Sequence, residues 1–140
     1  MASPLKRLFL ASVFLAAGAG AATPESGLWA LDAEQTGQPG RGLQIDVQNG
    51  ALALTFYGYR ADGSAQWYLS AGPLGPNGYT GALDEYLGGT SLAGPQQPAR
   101  ASGSAGTVTL SFTDSTHGQI TLPGEAAKAI SRLRFLARPA

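Results

Sequence analysis

Few residues of this chain have the chemistry that catalysis or metal binding needs. It contains one histidine, His117, and no cysteine. Because a protein zinc site is built from several histidine, cysteine or carboxylate ligands, we expect no metal. His117 follows Asp114 by three residues. This spacing suits a base oriented by a carboxylate, but it also suits a turn in which Asp114 accepts backbone N–H bonds. No serine in an activating context accompanies the pair, and we favour the turn.

The remaining charged and glycine-rich segments also lack a catalytic pattern. Asp84 and Glu85 are adjacent in a predicted strand, so their side chains point to opposite faces and cannot form a facing glycosidase pair. No glycine-rich segment leads from a strand into a helix, as a phosphate-binding loop requires. Arg41 lies between Gly40 and Gly42 in a predicted turn or bulge, where it is available to an anion. We expect no catalytic residue and no cofactor.

Aromatic residues around one predicted hairpin are the better candidates for function. Tyr57, Tyr59 and Tyr68 lie close in sequence to Gln66. Tyrosine side chains that also form hydrogen bonds are favoured in binding sites because they are large, amphipathic and rigid. The alternative is ordinary cross-strand pairing that only stabilises the hairpin. With Arg41, these four residues form the predicted binding set.

Short apolar or alternating runs, separated by turn signals, must position these residues. Such a pattern predicts an all-β fold, an antiparallel meander of about eight strands that forms a small barrel or a rolled sandwich. The predicted strands are 27–32, 43–48, 51–60, 65–71, 79–86, 107–113, 119–122 and 130–136. Residues 88–104 form the one long predicted loop.

Two turn signals predict the register of the central strands. A two-residue type I′ turn at Asn49-Gly50 places Val47 opposite Leu52, and the same turn at Asp62-Gly63 places Gly58 opposite Trp67. In these registers Phe56 faces Leu69 and Tyr57 faces Tyr68, with the apolar residues on one side of the sheet. The predicted core residues are Trp67, Phe56, Leu54, Ile45, Leu69 and Phe112.

The N-terminus has the features of a secretory signal. Lys6 and Arg7 precede an apolar run that ends in small residues, with cleavage predicted near Ala21 or Ala22. We therefore expect residues 1–22 to be a signal peptide, residues 23–140 a single domain, and the location periplasmic or secreted. The run is too short to favour a retained membrane span, so we expect none after removal of the signal.

The charge balance of the predicted domain excludes some partners. Without Lys6 and Arg7, seven of the nine Lys and Arg residues remain against nine Asp and Glu, a net charge of −2. Nucleic acid is not an expected partner, because its recognition requires a basic surface. We instead expect an unidentified protein or glycan as partner.

Several motifs of the chain resemble a largely uncharacterised β-domain family of secreted or periplasmic proteobacterial proteins. The motifs are ESGLW (25–29), GRGLQIDV (40–47), FYGYRADGSAQWYLSAG (56–72), NGYTGAL (77–83), GTVTLSFTD (106–114) and KAISRLRF (128–135). This resemblance implies a fold and a compartment more than an activity. The chain departs from the family pattern between Trp29 and Gly40, and it lacks the usual second tryptophan after Trp29.

A weaker resemblance is to lipocalin-type and avidin-type barrels, which begin with a G-x-W motif. Here the motif is Gly27-Leu28-Trp29. In lipocalins an arginine of the last strand lies over this tryptophan, and the resemblance implies that role for Arg132 or Arg134. Such barrels hold small ligands in an interior cavity.

Together these features predict an exported, non-catalytic binding or structural module of the cell envelope or extracellular space. It would recognise a protein or glycan through the outward tyrosine face. The alternative is a lipocalin-like carrier that holds a small apolar ligand inside the barrel.

Overall fold

Eight antiparallel strands follow one another in chain order and close into a barrel, as the computed structural model of residues 22–135 shows. The strands are β1 (Gly27–Leu31), β2 (Gly42–Gln48), β3 (Ala51–Tyr59), β4 (Ala65–Pro73), β5 (Tyr79–Leu87), β6 (Arg100–Phe112), β7 (His117–Thr121) and β8 (Lys128–Arg132). A 3₁₀ helix, Asp32–Glu34, follows β1. The prediction of an all-β meander is confirmed. Of the two predicted arrangements, a small barrel and a rolled sandwich, the structure has the barrel. Residues 1–21 of the predicted signal peptide lie outside the described residues, and so does Leu136, the last residue of the predicted eighth strand.

Two further observations concern the length of the elements. Strand β6 begins at Arg100, so the predicted loop of residues 88–104 ends at residue 99. Between residues 22 and 135, the structure contains no helix that is both long and apolar enough to cross a membrane.

The core fills the barrel with side chains from alternate positions of the strands. Trp29 is 2% exposed and packs edge-on against Phe112, with the ring centroids 5.6 Å apart. Four of the predicted core residues are buried in the same cluster as Trp29, namely Ile45, Leu54, Phe56 and Phe112. Burying apolar area at this scale is the main term that stabilises a domain of this size.

Arg132 closes the barrel at the seam between β1 and β8. Its Nε donates a hydrogen bond to the carbonyl of Ser26 (3.1 Å), and its Nη1 donates to the carbonyl of Leu28 (3.1 Å). The guanidinium occupies the space beside Gly27, where a Cβ would lie 2.2 Å from Nη2. Arg132, rather than Arg134, is therefore the arginine that lies over the first strand.

The β2–β3 hairpin has the predicted register. Asn49 and Gly50 both have positive φ, 51° and 76°, as a type I′ turn requires. Val47 accordingly lies opposite Leu52, and Leu43 lies opposite Phe56.

The predicted register of the β3–β4 hairpin is wrong by one residue. The Arg60 N–H donates to the Ser64 carbonyl and the Gly63 N–H donates to the Arg60 carbonyl, both at 2.9 Å. Only Gly63 (φ 85°) has a positive φ in this turn. These features define a three-residue loop, a type I turn followed by a left-handed residue, in place of the predicted two-residue turn.

This one-residue difference exchanges the two faces of β4. Tyr57 lies opposite Trp67, and Phe56 lies opposite Tyr68. Trp67 is 46% exposed and Leu69 is half-buried on the outer side, so their assignment to the core is wrong. Side-chain direction alternates along a strand, and a slip of one residue therefore turns every side chain over.

The inner face of β4 is consequently polar in part. Gln66 and Ser70 are buried, and Tyr68 packs against the core. The hydroxyls of Ser70 and Tyr79 share a hydrogen bond of 2.7 Å, and Gln66 Nε2 donates to the Trp67 carbonyl at 2.6 Å. These bonds offset the cost of burying polar groups, which is large when a group has no partner.

Gly58 also has a different neighbour from the predicted one. It lies opposite Gln66, not Trp67. A Cβ on Gly58 would lie 2.9 Å from Cε1 of Phe56, so the absence of a side chain leaves room for the phenyl ring inside the barrel.

Candidate functional site

The outer side of the barrel carries four aromatic residues on three neighbouring strands. Tyr57 and Tyr59 extend from β3, Trp67 from β4 and Tyr86 from β5. We call these four residues the aromatic surface. Tyr57, Tyr59 and Trp67 are 43%, 49% and 46% exposed. Large aromatic side chains on an exposed face, placed side by side, commonly mark a binding site.

The strand registers bring these rings together. Tyr57 is the direct cross-strand partner of Trp67. On the other side, Tyr68 pairs with Glu85, which places Trp67 and Tyr86 next to each other one position further along. Their rings are stacked, with centroids 5.6 Å apart and planes inclined by 11°. The sheet therefore holds the indole between two tyrosines on adjacent strands.

Two open grooves flank Trp67. The first, of about 240 Å³, lies between Trp67 and the two tyrosines of β3, and it extends to Gly40 and Gly58. The second, of about 350 Å³, lies on the side of Tyr86 and is bordered by Gly88 and Thr90. Both grooves include Ala65, Gln66 and Trp67 in their walls.

Polar groups accompany the aromatic rings of the second groove. Arg60 lines this groove and donates from Nε and Nη2 to Glu85 Oε1, at 3.1 and 2.7 Å. The ion pair fixes the guanidinium beside Trp67, because the two bonds converge on one carboxylate oxygen. The surface thus combines aromatic faces with an oriented hydrogen-bond donor.

The predicted binding set is divided between two sites. Tyr57 and Tyr59 lie on the aromatic surface, whereas Tyr68 and Gln66 point into the barrel. Arg41 lies at the mouth of the barrel, where its guanidinium is 5.9 Å from the ring centroid of Phe56. Trp67 and Tyr86 were missing from the set. The pairing of Trp67 with Tyr57 depends on the length of the β3–β4 turn. The contact of Trp67 with Tyr86 depends on the register between β4 and β5.

Arg41 is the centre of a charge cluster rather than a free cation. Its Nη2 and Nη1 lie 2.6 Å from carboxylate oxygens of Glu34 and Glu125, and Lys128 Nζ lies 3.3 Å from Glu125. Hydrogen bonds from the guanidinium hold the pKa of both carboxyls below the usual value of 4.5. The same bonds raise the pKa of Arg41. The cluster contains two positive and two negative groups, so its net charge is zero.

A small pocket lies below this cluster, inside the mouth of the barrel. Its volume is about 180 Å³, and its walls include Phe56, Tyr68, Leu83 and Leu122. Pockets that hold drug-sized ligands usually measure about 300–1,000 Å³. The rest of the interior is filled by the core. A pocket of this size gives little support to the alternative function, a lipocalin-like carrier that holds a small apolar ligand inside the barrel.

We expect the replacement of Arg41 by methionine to reduce the acid sensitivity of the fold. The carboxyls of Glu34 and Glu125 have lowered pKa values in the folded state, so their ion pairs stabilise it above about pH 4.5 and are lost as the pH falls through the lowered values. In Arg41→Met this contribution, on the order of 1 kcal/mol for an ion-pair network near the surface, is absent at neutral pH.

Urea unfolding at pH 7 and at pH 3 measures this effect. The stability difference between the two pH values should be smaller in Arg41→Met than in the unchanged chain. Arg134→Met, at an exposed position after β8, is the control and should keep the original pH dependence. An unchanged pH dependence in Arg41→Met would contradict the assignment of the ion pairs.

His117 and Asp114 form the turn that the sequence favours. Asp114 Oδ1 accepts a hydrogen bond from the Thr116 N–H at 2.7 Å and lies 3.0 Å from His117 Nδ1. These contacts lower the pKa of Asp114 to about 2, with the backbone bond as the largest cause. Within residues 22–135, no three His, Cys, Asp or Glu side chains come together as metal ligands would.

Comparison of this chain with family models, with curated proteins and with solved structures finds no match. The resemblance to the secreted proteobacterial β-domains therefore stays an expectation. The geometry of the described residues is what supports an assignment of function.

Proposed function

We propose that this protein is an exported, non-catalytic binding module that recognises glycans through the aromatic surface. The observation that carries the proposal is the position of Trp67, which is half-exposed between Tyr57 and Tyr86 with a groove on each side. The hydrophobic faces of sugar rings pack on aromatic side chains, while the sugar hydroxyls need hydrogen-bonding groups at the edges. The tyrosine hydroxyls and Arg60 supply such groups.

The shape of the surface favours a glycan over a protein partner. A stable protein interface buries about 800 Å² on each side and contains a well-packed centre. The aromatic surface is instead divided by Trp67 into two open grooves of about 240 and 350 Å³, a shape that suits a narrow ligand better than a flat protein face. The tyrosines also suit a hydrated ligand, because their rings are amphipathic and ordered by the sheet.

Replacing Trp67 by alanine should weaken glycan binding at least tenfold, which corresponds to about 1.4 kcal/mol and to the loss of one aromatic contact. A glycan array that includes bacterial cell-wall and capsular sugars identifies a ligand for the unchanged chain. Isothermal titration calorimetry then compares the variants with that ligand.

Phe135→Ala is the matched control, because Phe135 is also an exposed aromatic residue but lies beyond β8. It should bind as the unchanged chain does. Equal binding by Trp67→Ala and the unchanged chain would contradict the proposal. Capture of a protein partner without any glycan binding would assign the aromatic surface to protein recognition instead.

A further inference from the structure

We infer that the ligand is a linear oligosaccharide that crosses Trp67 and occupies both grooves, so that Trp67 separates two sugar-binding subsites. This inference rests on the proposed function and adds the length and the path of the ligand. It distinguishes a site for a chain of several sugars from a site for one sugar.

The first argument is the continuity of the two grooves. They share the walls formed by Ala65, Gln66 and Trp67, so one begins where the other ends. Ala65 is small and exposed at this junction. A single sugar fills only one groove, whereas a chain contacts the rings on both sides of the indole.

The second argument is the spacing and direction of the aromatic residues. Tyr57, Trp67 and Tyr86 lie on three adjacent strands. Neighbouring strands are about 4.8 Å apart, which is comparable with the length of one hexopyranose unit in a chain. The row of rings runs across the strands, so successive sugars meet successive rings when the chain lies perpendicular to β4.

The third argument is that hydrogen bonds within the protein hold the far wall of the second groove. Thr90 Oγ1 accepts a hydrogen bond from the Gln97 N–H (2.8 Å) and donates to the Gln97 carbonyl (3.2 Å). Gln97 Nε2 donates to the Gly88 carbonyl at 2.8 Å. These bonds hold the loop of residues 88–99 in place, and a preformed wall reduces the entropy lost on binding.

The test is the dependence of affinity on chain length. Calorimetric titrations use the full chain with cello-oligosaccharides and chito-oligosaccharides of one to six sugars, together with the homologous series of any ligand found on the array. Two occupied subsites predict that affinity rises at least tenfold between one and three sugars and changes less than twofold from four to six.

Two variants separate the subsites. Ala99→Trp fills the second groove. It should remove the increase in affinity with oligosaccharide length and change the affinity for the shortest bound sugar by less than twofold. Tyr59→Ala, in the first groove, should lower the affinity for the long oligosaccharides by about the factor in affinity that one subsite contributes. Circular dichroism and thermal unfolding check that both variants are folded.

The outcomes distinguish the two proposals. Equal affinity for one sugar and for six would overturn the two-subsite inference and leave glycan recognition intact. Retention of the full gain with length by Ala99→Trp would also overturn the inference. If the unchanged chain bound none of the series and no glycan of the array, the proposed function itself would fail.

Discussion

Replacing Trp29 by alanine is expected to lower the free energy of unfolding by about 3–5 kcal/mol, the usual cost of removing a buried tryptophan from a core. Trp29 is 2% exposed, packs against Phe112 and donates from its indole N–H to the Glu25 carbonyl at 3.0 Å. Its removal leaves a cavity next to the seam that closes the barrel. Urea unfolding followed by circular dichroism measures the loss.

The matched change is Trp67→Ala, which removes the same side chain from the outer face. Because this indole is half-exposed, its loss should cost about 2 kcal/mol, from the covered half of its surface and the stacking on Tyr86. The loss of stability should therefore be about twofold larger for Trp29→Ala than for Trp67→Ala, although the chemical change is identical. If Trp67→Ala were the more destabilising of the two, the described β3–β4 register would be incorrect.

Replacing Gly78 by alanine should cost about 3 kcal/mol or more. Gly78 has a φ of 111°, which side-chain-bearing residues rarely adopt, and a Cβ there would lie 2.0 Å from the carbonyl oxygen of Leu110. That oxygen belongs to the backbone of β6, so the contact cannot be relieved by moving a flexible side chain. The change strains the entry into β5 and the β5–β6 ladder together.

Gly50→Ala provides the comparison for this prediction. Gly50 also has a positive φ, 76°, but no atom lies within 4 Å of the position that its Cβ would occupy. Only the backbone penalty remains, about 1 kcal/mol. Thermal unfolding of both variants measures the difference. A Gly78→Ala chain as stable as Gly50→Ala would show that the backbone of β6 does not approach Gly78 as closely as described.

The local pattern of the chain predicts the strands and one hairpin register well. In β2 the residues Leu43, Ile45 and Val47 alternate with polar residues, so only one pairing with β3 buries the apolar set. The turn Asn49-Gly50 agrees with that pairing. Two independent signals coincide, and the structure follows them.

In the second hairpin the turn signal and the apolar pattern also agree, but on a register that the structure does not have. Asp62-Gly63 occurs both in two-residue turns and at the end of three-residue loops, where the glycine takes the left-handed position. The apolar pattern of β4 favours the two-residue turn, because that turn places Trp67 and Leu69 inside and Gln66 outside, whereas the structure buries Gln66 and leaves Trp67 exposed. The structure places Tyr68 against Phe56 and leaves the larger indole of Trp67 outside.

Features that depend on distant residues could not be predicted in the same way. The choice of a barrel depends on the pairing of β1 with β8, two segments separated by most of the chain. The candidate site depends on the packing of Trp67 against Tyr86, which the β4–β5 register determines. No turn signal in the sequence specifies the β4–β5 register. In the structure only two residue pairs join these strands in a regular ladder.

The three-residue loop of Ala61, Asp62 and Gly63 has a consequence for the evolution of such barrels. Arg60 lies opposite Ser64, and a shorter connection between these two residues leaves the pairs of β3 and β4 unchanged, with Trp67 still outside. Loss of one residue between Ser64 and Gln66 instead moves Trp67 opposite Gly58 and turns the rest of β4 over. One codon lost or gained at the start of β4 thus exchanges the outward-facing side chains of a whole strand without altering any of them, whereas the same change within the loop is tolerated.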